Sequence, residues 1–588
     1  MPINSNASSI ACWLLPLLNK IKNKKEYIYI LLASLIVCIP LFIKGFNIFR
    51  DDGIQHVCRL IGTEQTLKTG QFLPMIMSNF CNNFGYSWNL FYSPFTAYLP
   101  LLFKIFNFTY VNSLKIFEFF TVIISGIAMY KFTLNVTKNK NIAVFASIIY
   151  ILAPYRITDM YIRNALAELT SFMFIPMIFN GMYKIINQEE KSYLLAFGAI
   201  GIILTHTVIT MYTAILCFVY LIVFAKKLKN KKIIINLLIN ILFAIVCTSF
   251  FWVGLLQSKL ATIYEVFVPG RMQRLDVLKY YKTEFYQLFI TMRDQTMIYA
   301  IGFVNVIGLV LTPIAYKKIP KEYKKTYIVF LIMGLLLTLA TLTIFPFEKL
   351  PKILTMLQFT FRLYEFTSFL FAFVVAINYG TIIKNFNIRD ILVLTSIAVT
   401  MLVPYLDKID FNSKYDENNY ITPVRVSNTT GRVHSGMASM EYLPSKAFKN
   451  LDYLINRKDE PIIIENSGES KIEIRNCNKT GSNMTFEIYR AGEETTIELP
   501  YIYYIGYRIY VNGQEIKYEE SEKGFIQIKL NEKNDESKLN DYDIEVKYTG
   551  TNAMISAFIV SCISFLVLVG INISKNYRKK YKKVEKLL

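Results

Sequence analysis

Twelve apolar stretches, most of them long enough to cross about 30 Å of hydrocarbon, decide what this chain can fold into. They cover roughly 27–45, 113–133, 142–157, 164–184, 192–205, 207–225, 233–255, 296–316, 326–345, 360–383, 391–406 and 551–573. Of the 588 residues, 53% are hydrophobic and only 18% are charged, a balance foreign to an ordinary soluble domain. The expected fold is a polytopic α-helical membrane protein with about 12 transmembrane helices. The first stretch is read as a span, because no small-residue cleavage site follows the charged residues before it.

The lysines orient those spans, since short basic loops stay in the cytoplasm. Clusters lie at 20–25, 138–140, 226–232, 317–325, 384–389 and 578–580, and with these spans all six fall on one side. Both termini are then cytoplasmic: 1–26 is a basic N-terminus and 574–588 a basic tail. Asn89–Phe108, with Pro94 and Pro100, must lie along the outer interface or re-enter, because a full crossing would put Lys138 and Lys140 outside. The formal net charge of +21 needs no nucleic acid to explain it. Residues 407–550 carry 19 Lys and Arg against 25 Asp and Glu, and the remainder 45 against 18, so the surplus faces anionic lipid headgroups. The eight cysteines form no CxxC pair. Cys58 and Cys81 share the first outer loop, and a bridge between them is the less favoured reading.

The chain divides into a membrane domain over 27–406, an extracytoplasmic β-rich domain over 407–550 and a final span over 551–573. Asn512-Gly513, between Arg508 and Tyr518, is the strongest short hairpin signal. Lys471–Arg475, Met484–Tyr489, Phe525–Lys529 and Tyr542–Tyr548 alternate as half-buried strands do. A small β-sandwich on the outer face is expected there. A structural or acceptor-binding role is favoured for it over catalysis.

Given that orientation, the polar residues that interrupt the apolar pattern gather on the outer side, above all in the loops 46–112 and 257–293. Arg50–Arg59, directly after the first span, holds Asp51, Asp52, His56 and Arg59, and ionisable groups so placed point to function. Asp51 and Asp52 are adjacent, so they need not share a face. Further along stand Asp159, Arg163 and Glu168, then His206, then Arg271 and Arg274, and finally Arg362 and Glu365, spaced i+3 on one helix face. Each has a plainer reading. Asp51-Asp52 can be a solvated turn, Arg163 with Glu168 a pair holding helices together, His206 a helix-end contact, and Arg271 with Arg274 ligands of lipid phosphates. Three histidines in all argue against a three-imidazole zinc site, and no HExxH spacing occurs. The absence of a Walker loop, GxGxxG and GxSxG leaves nucleotide chemistry and a nucleophile elbow unsupported.

An acidic motif in the first outer loop, Gly70-Gln71-Phe72-Leu73-Pro74 and Phe91-Tyr92-Ser93-Pro94 together resemble the GT-C class of polyprenyl-phosphate-dependent glycosyltransferases. Arg163–Glu168, Gln358–Arg362 and Leu499–Gly513 resemble its YfhO-type bacterial branch, some of whose relatives carry a pyruvoyl-tetrahydropterin-synthase-related label. Nothing in the chain looks like a soluble pterin enzyme. Asp-Asp stands where other members separate the two carboxylates as Asp-X-Asp, which leaves metal dependence open.

The resemblance implies sugar transfer at the outer face of a bacterial plasma membrane, from a polyprenyl-phosphate donor to an exported wall polymer or glycolipid. Asp52 or Asp51 would take the proton from the acceptor hydroxyl. Arg163, Arg271, Arg274 and Arg362 would stabilise the departing lipid phosphate. Glu168 and His56 would orient that machinery or hold a divalent cation if one is used, and Arg59, Asp159, His206 and Glu365 would support it. Two competing readings remain. A transporter or flippase of lipid-linked sugars calls for ionisable groups near the bilayer midplane and broken helices in matching halves. A non-catalytic envelope-assembly scaffold would use only the β-domain.

Overall fold

The computed structural model describes residues 25–43, 51–71, 73, 75–271, 275–289, 301–406, 425–426, 433–434, 440–466, 472–491, 494–531 and 540–585. Among these, seven helices are long and apolar enough to cross a membrane: Lys25–Ile43, Tyr110–Thr137, Lys140–Arg163, Leu166–Ile186, Lys321–Thr341, Thr360–Ile382 and Asn552–Tyr577. An eighth span results if Lys231–Cys247 and Ser249–Ala261, bent by 64°, count as one. Of the other four expected stretches, Leu194–Ile203, Thr207–Val223 and Phe303–Val310 with Thr312–Tyr316 are shorter or broken helices, and Ile388–Leu406 is a single helix of 19 residues outside that set of seven. Every apolar stretch thus contains helix, while the count of twelve crossings remains an expectation. Asn89–Phe108 forms short pieces, Trp88–Phe91, Phe95–Tyr98 and the 3-10 turn Pro100–Phe106. At about 1.5 Å per residue these cannot reach across hydrocarbon.

The bundle is organised around Leu363–Ile382, in which every residue from Leu363 to Tyr379 is buried. Aromatic rings fill the space between it and its neighbours: Phe369 packs on Phe179 and Phe330 at 5.2 and 5.4 Å, and Phe373 on Phe132 at 5.2 Å. A methyl at Gly334 would overlap the Phe371 ring, so the close approach of Lys321–Thr341 depends on a residue without Cβ. Asn378 pins three helices, accepting from Tyr327 Oη at 2.7 Å and donating to the Gly308 carbonyl at 2.8 Å. The bend near Thr248 is closed by the last helix: Ser561 Oγ accepts from Phe250 N at 3.1 Å and lies 2.8 Å from Ser249 Oγ.

The C-terminal region forms two larger antiparallel sheets, preceded by a small antiparallel pair of Arg425–Val426 with Val433–His434. One has the order Ile462–Asn466, Glu494–Ile502, Phe525–Asn531, Glu519–Glu520. The other runs Glu473–Thr480, Asn483–Ala491, Asn540–Tyr548, Tyr507–Val511, Gln514–Ile516. Asn512 and Gly513 turn the last pair, with φ of 49° and 80°, the left-handed geometry of a type I′ hairpin. Lys471, the first residue of one expected strand, lies outside the described residues.

The core of this β unit is not made by the C-terminal region alone. Met75, Ile76, Met77, Phe80, Phe84, Tyr86 and Trp88, from the loop that follows the helix Gly53–Lys68, are buried in the same cluster as Phe486, Leu499, Phe525 and Ile544. Ile502 N donates to the Phe84 carbonyl at 3.0 Å, and Lys479 Nζ donates to the carbonyls of Asn83 and Pro500 at 2.8 and 2.9 Å. Cys58 and Cys81 are both buried in this joint. Gly524, at φ +83°, rests on the backbone of Ala447 so closely that a Cβ there would collide with it. The short helix Ser445–Lys449 is thereby seated on the sheet.

Candidate functional site

Where the membrane helices, the loop over 75–91 and the β unit meet, they enclose a cavity of about 500 Å³. Asp52, His56, Arg59, Glu168, His206, Arg271 and Arg362 all line it, so residues scattered over three hundred positions meet at one cavity. Arg274 lies outside the described residues.

Asp52 occupies the N-cap of the helix Gly53–Lys68 but makes no side-chain cap. Aspartate at this position ordinarily accepts from the first turn. Its backbone N–H instead donates to the Arg163 carbonyl at 2.9 Å, which anchors the loop to the membrane helices. Its carboxylate has no hydrogen bond or ion pair among the described residues and faces the cavity. Burial pushes its pKa up to about 6, against the pull of the Arg163 and Arg362 guanidiniums. Asp51 is exposed and lines no part of the cavity.

Arg163 is brought back onto its own helix by a π-turn over Asp159–Arg163, ended by Asn164 at φ 49°. Single π-turns of this kind recur at functional sites. Its Nη1 donates to Asp159 Oδ1, Glu168 Oε2 and Tyr155 Oη at 2.7, 2.8 and 2.9 Å, and Nη2 to Glu168 Oε1 at 2.9 Å. Arg362 Nε donates to Glu168 Oε1 at 2.9 Å, and its Nη1 to the Leu357 carbonyl and the Gln358 side chain. Glu168 therefore clamps two guanidiniums from different helices. Arg163 and Asp159 lie behind the cavity wall, and the placement corrects Arg163 from phosphate ligand to the support of Glu168. Glu365 is buried one layer deeper, where it accepts from Ser171 Oγ.

Arg59, expected in a supporting place, turns its guanidinium onto the loop that follows. Its guanidinium donates to Asn89 Oδ1, Thr96 Oγ1 and the carbonyls of Tyr92 and Ser93 at 2.8–3.0 Å and stacks on the Tyr92 ring. It folds the Asn89–Thr96 stretch over the cavity. Burial and the Arg59 charge push the His56 pKa down to about 3, so this imidazole is neutral, and its Nε2 has no partner among the described residues. His206 is likewise lowered to about 3, chiefly by burial and then by Arg362. Its Nδ1 accepts from Ile209 N at 3.3 Å, capping the helix Thr207–Val223. The neutral ring must then carry its proton on Nε2. Arg271 pairs with Glu265 at 3.2 Å while staying partly exposed at the rim.

Glu168 and His56, the residues expected to hold a divalent cation if one is used, do not assemble as such a site among the described residues. Glu168 already engages Arg163, Arg362 and Tyr155. Among the described residues no three His, Cys, Asp or Glu side chains come together as metal ligands. Two lining residues carried no sequence signal at all, Glu441 and Tyr442. They arrive by the fold of the β unit, and no spacing in the chain announces them.

The family described as "6-pyruvoyl-tetrahydropterin synthase related domain; membrane protein" matches residues 90–408, more than half of the chain. The chain belongs to this family. The matched region runs from the Arg59-bound loop to the end of Ile388–Leu406 and includes Arg163, Glu168, His206 and Arg362. An uncharacterized protein of Lactococcus lactis subsp. cremoris is 27% identical over 352 residues, 55% of this chain and 55% of that one. The chain thus spans about half the length of the relative it matches. The solved arabinofuranosyltransferase AftD from Mycobacteria superposes with a TM-score of 0.43 at 10% identity, over 66% of this chain and 27% of that one.

Proposed function

We propose that this protein is a membrane glycosyltransferase that moves a sugar from a polyprenyl-phosphate donor to an exported envelope glycan or glycolipid at the outer face. The observation that carries this reading is Asp52: a carboxylate at an N-cap, used neither for capping nor for pairing, that faces a 500 Å³ cavity beside Arg362. Asp52 takes the proton of the acceptor hydroxyl as its oxygen bonds to the anomeric carbon. The bond from that carbon to the phosphate oxygen breaks, and the lipid phosphate leaves with the electron pair. Arg362, held in place by Glu168, and Arg271 at the rim stabilise that charge. No second carboxylic acid is needed, because phosphate is already a competent leaving group.

The test is transfer by purified protein given polyprenyl-phosphate monosaccharides and candidate acceptors. Asp52→Asn should lower turnover by about 10²–10⁴-fold, the usual scale of general-base assistance, with Asp51→Asn near wild type. Full activity in Asp52→Asn would remove the proposed base. Movement of lipid-linked sugar across a bilayer without transfer would favour the flippase reading.

A further inference from the structure

Two residues of the C-terminal region, Glu441 and Tyr442, reach the same cavity as Asp52. They belong to a short strap held on both sides. On one side Ser87 Oγ donates to the Tyr442 carbonyl at 2.7 Å and Tyr442 N donates to Tyr86 Oη at 3.3 Å. On the other, Val266 N donates to the Glu441 carbonyl at 2.7 Å, Glu265 N to that of Leu443 at 3.0 Å, and Ser445 N to that of Ile263 at 2.7 Å. Ser445 Oγ also donates to Glu265, the carboxylate that pairs with Arg271. With its backbone groups fixed in this way, the strap holds its side chains in a defined direction. The Tyr442 ring stacks on Phe91 at 5.5 Å with an interplanar angle of 7°, next to Trp88, another lining residue.

We infer that this strap is the acceptor subsite, built to hold a sugar ring of a glycan so that one of its hydroxyls meets Asp52. The inference rests on the glycosyltransferase reading for the word acceptor, but not for sugar binding itself. The cavity has two chemically different walls. Arg362, Glu168 and His206 come from membrane helices, where a lipid-anchored phosphate must remain. Glu441, Tyr442, Trp88 and Phe91 come from the β unit and the loop built into it, the side open to a water-borne polymer. A carboxylate accepts from two neighbouring hydroxyls of a sugar, and aromatic rings cover the ring's apolar C–H face, so this wall matches a pyranose or furanose. The β unit would then be part of the enzyme and not only its anchor.

Trp88 supplies a direct signal. Full-length protein in nanodiscs is titrated with methyl glycosides and short oligosaccharides while tryptophan fluorescence is followed, with Trp88→Phe as the silent control. Binding should appear in the wild type and weaken about tenfold or more in Glu441→Gln, the loss of one charge-assisted contact. Tyr442→Phe, which keeps the ring, should weaken it less than Tyr442→Ala. In turnover the same variants should raise the acceptor KM with the donor KM unchanged. Unaltered sugar binding and acceptor KM in Glu441→Gln and Tyr442→Phe, both near-isosteric and checked for wild-type thermal unfolding, would overturn the inference. Sugar binding that depends on Glu441 in a protein that transfers nothing would retain the subsite and reject the glycosyltransferase.

Discussion

At Asp52 burial and charge act in opposite directions. Removal from water raises its pKa, Arg163 and Arg362 lower it, Glu168 and Asp51 raise it again, and the balance stands at about 6. A general base works only as carboxylate, so kcat/KM should be level above about pH 6 and fall as pH drops through that value. A pH profile of transfer checks this, and a flat profile down to pH 4 would exclude Asp52 as the base. His206 allows a second separation. Asparagine is a good N-cap, so His206→Asn keeps the acceptor for Ile209 N while removing the Nε2 proton. Thermal stability should stay near wild type while transfer falls; equal loss of both would make His206 purely structural. The sequence made an acidic turn visible but could not choose between its two carboxylates. That choice comes from the helix starting at Gly53, which turns Asp51 outward and Asp52 inward.

Between elements, the decisive contact is Glu168 with its two arginines, which ties the Pro154–Ser171 region to Leu363–Ile382. Glu168→Gln leaves Arg362 buried without its counter-charge and Arg163 with Asp159 alone, and breaking a buried pair in this way costs about 3–5 kcal/mol. The expected outcome is a marked drop in the unfolding midpoint in detergent, with Arg362 no longer fixed at the cavity. An unchanged midpoint would show the network to be idle. The i+5 spacing of Arg163 and Glu168 suggested proximity, and the i+3 spacing of Arg362 and Glu365 a common face. Neither disclosed that Arg362 reaches Glu168 across the bundle while Glu365 turns to Ser171. Such choices are made by packing against Leu363–Tyr379, which period and spacing do not encode.

On the scale of the molecule, apolar runs and lysine clusters made the helical class and an orientation readable. They could not show that the loop over 75–91 belongs to the core of a region four hundred residues later. Contacts so distant in sequence leave no local pattern. The orientation has a native probe, since Cys477 is exposed on a strand of the β unit. A membrane-impermeant maleimide added to intact cells should label it, and Cys477→Ser should abolish that signal. Labelling only after the cells are opened would place the cavity on the cytoplasmic side and end the proposed exchange with exported polymers. Gly524 carries one more lesson. It sits in a turn of the sheet region and touches no substrate wall, yet it is the seat of the little helix that continues the strap. An added methyl there would act as a wedge, tilting that helix and drawing Tyr442 off Phe91, so that under the proposed acceptor role a buried turn away from the cavity would control how a polymer end is presented.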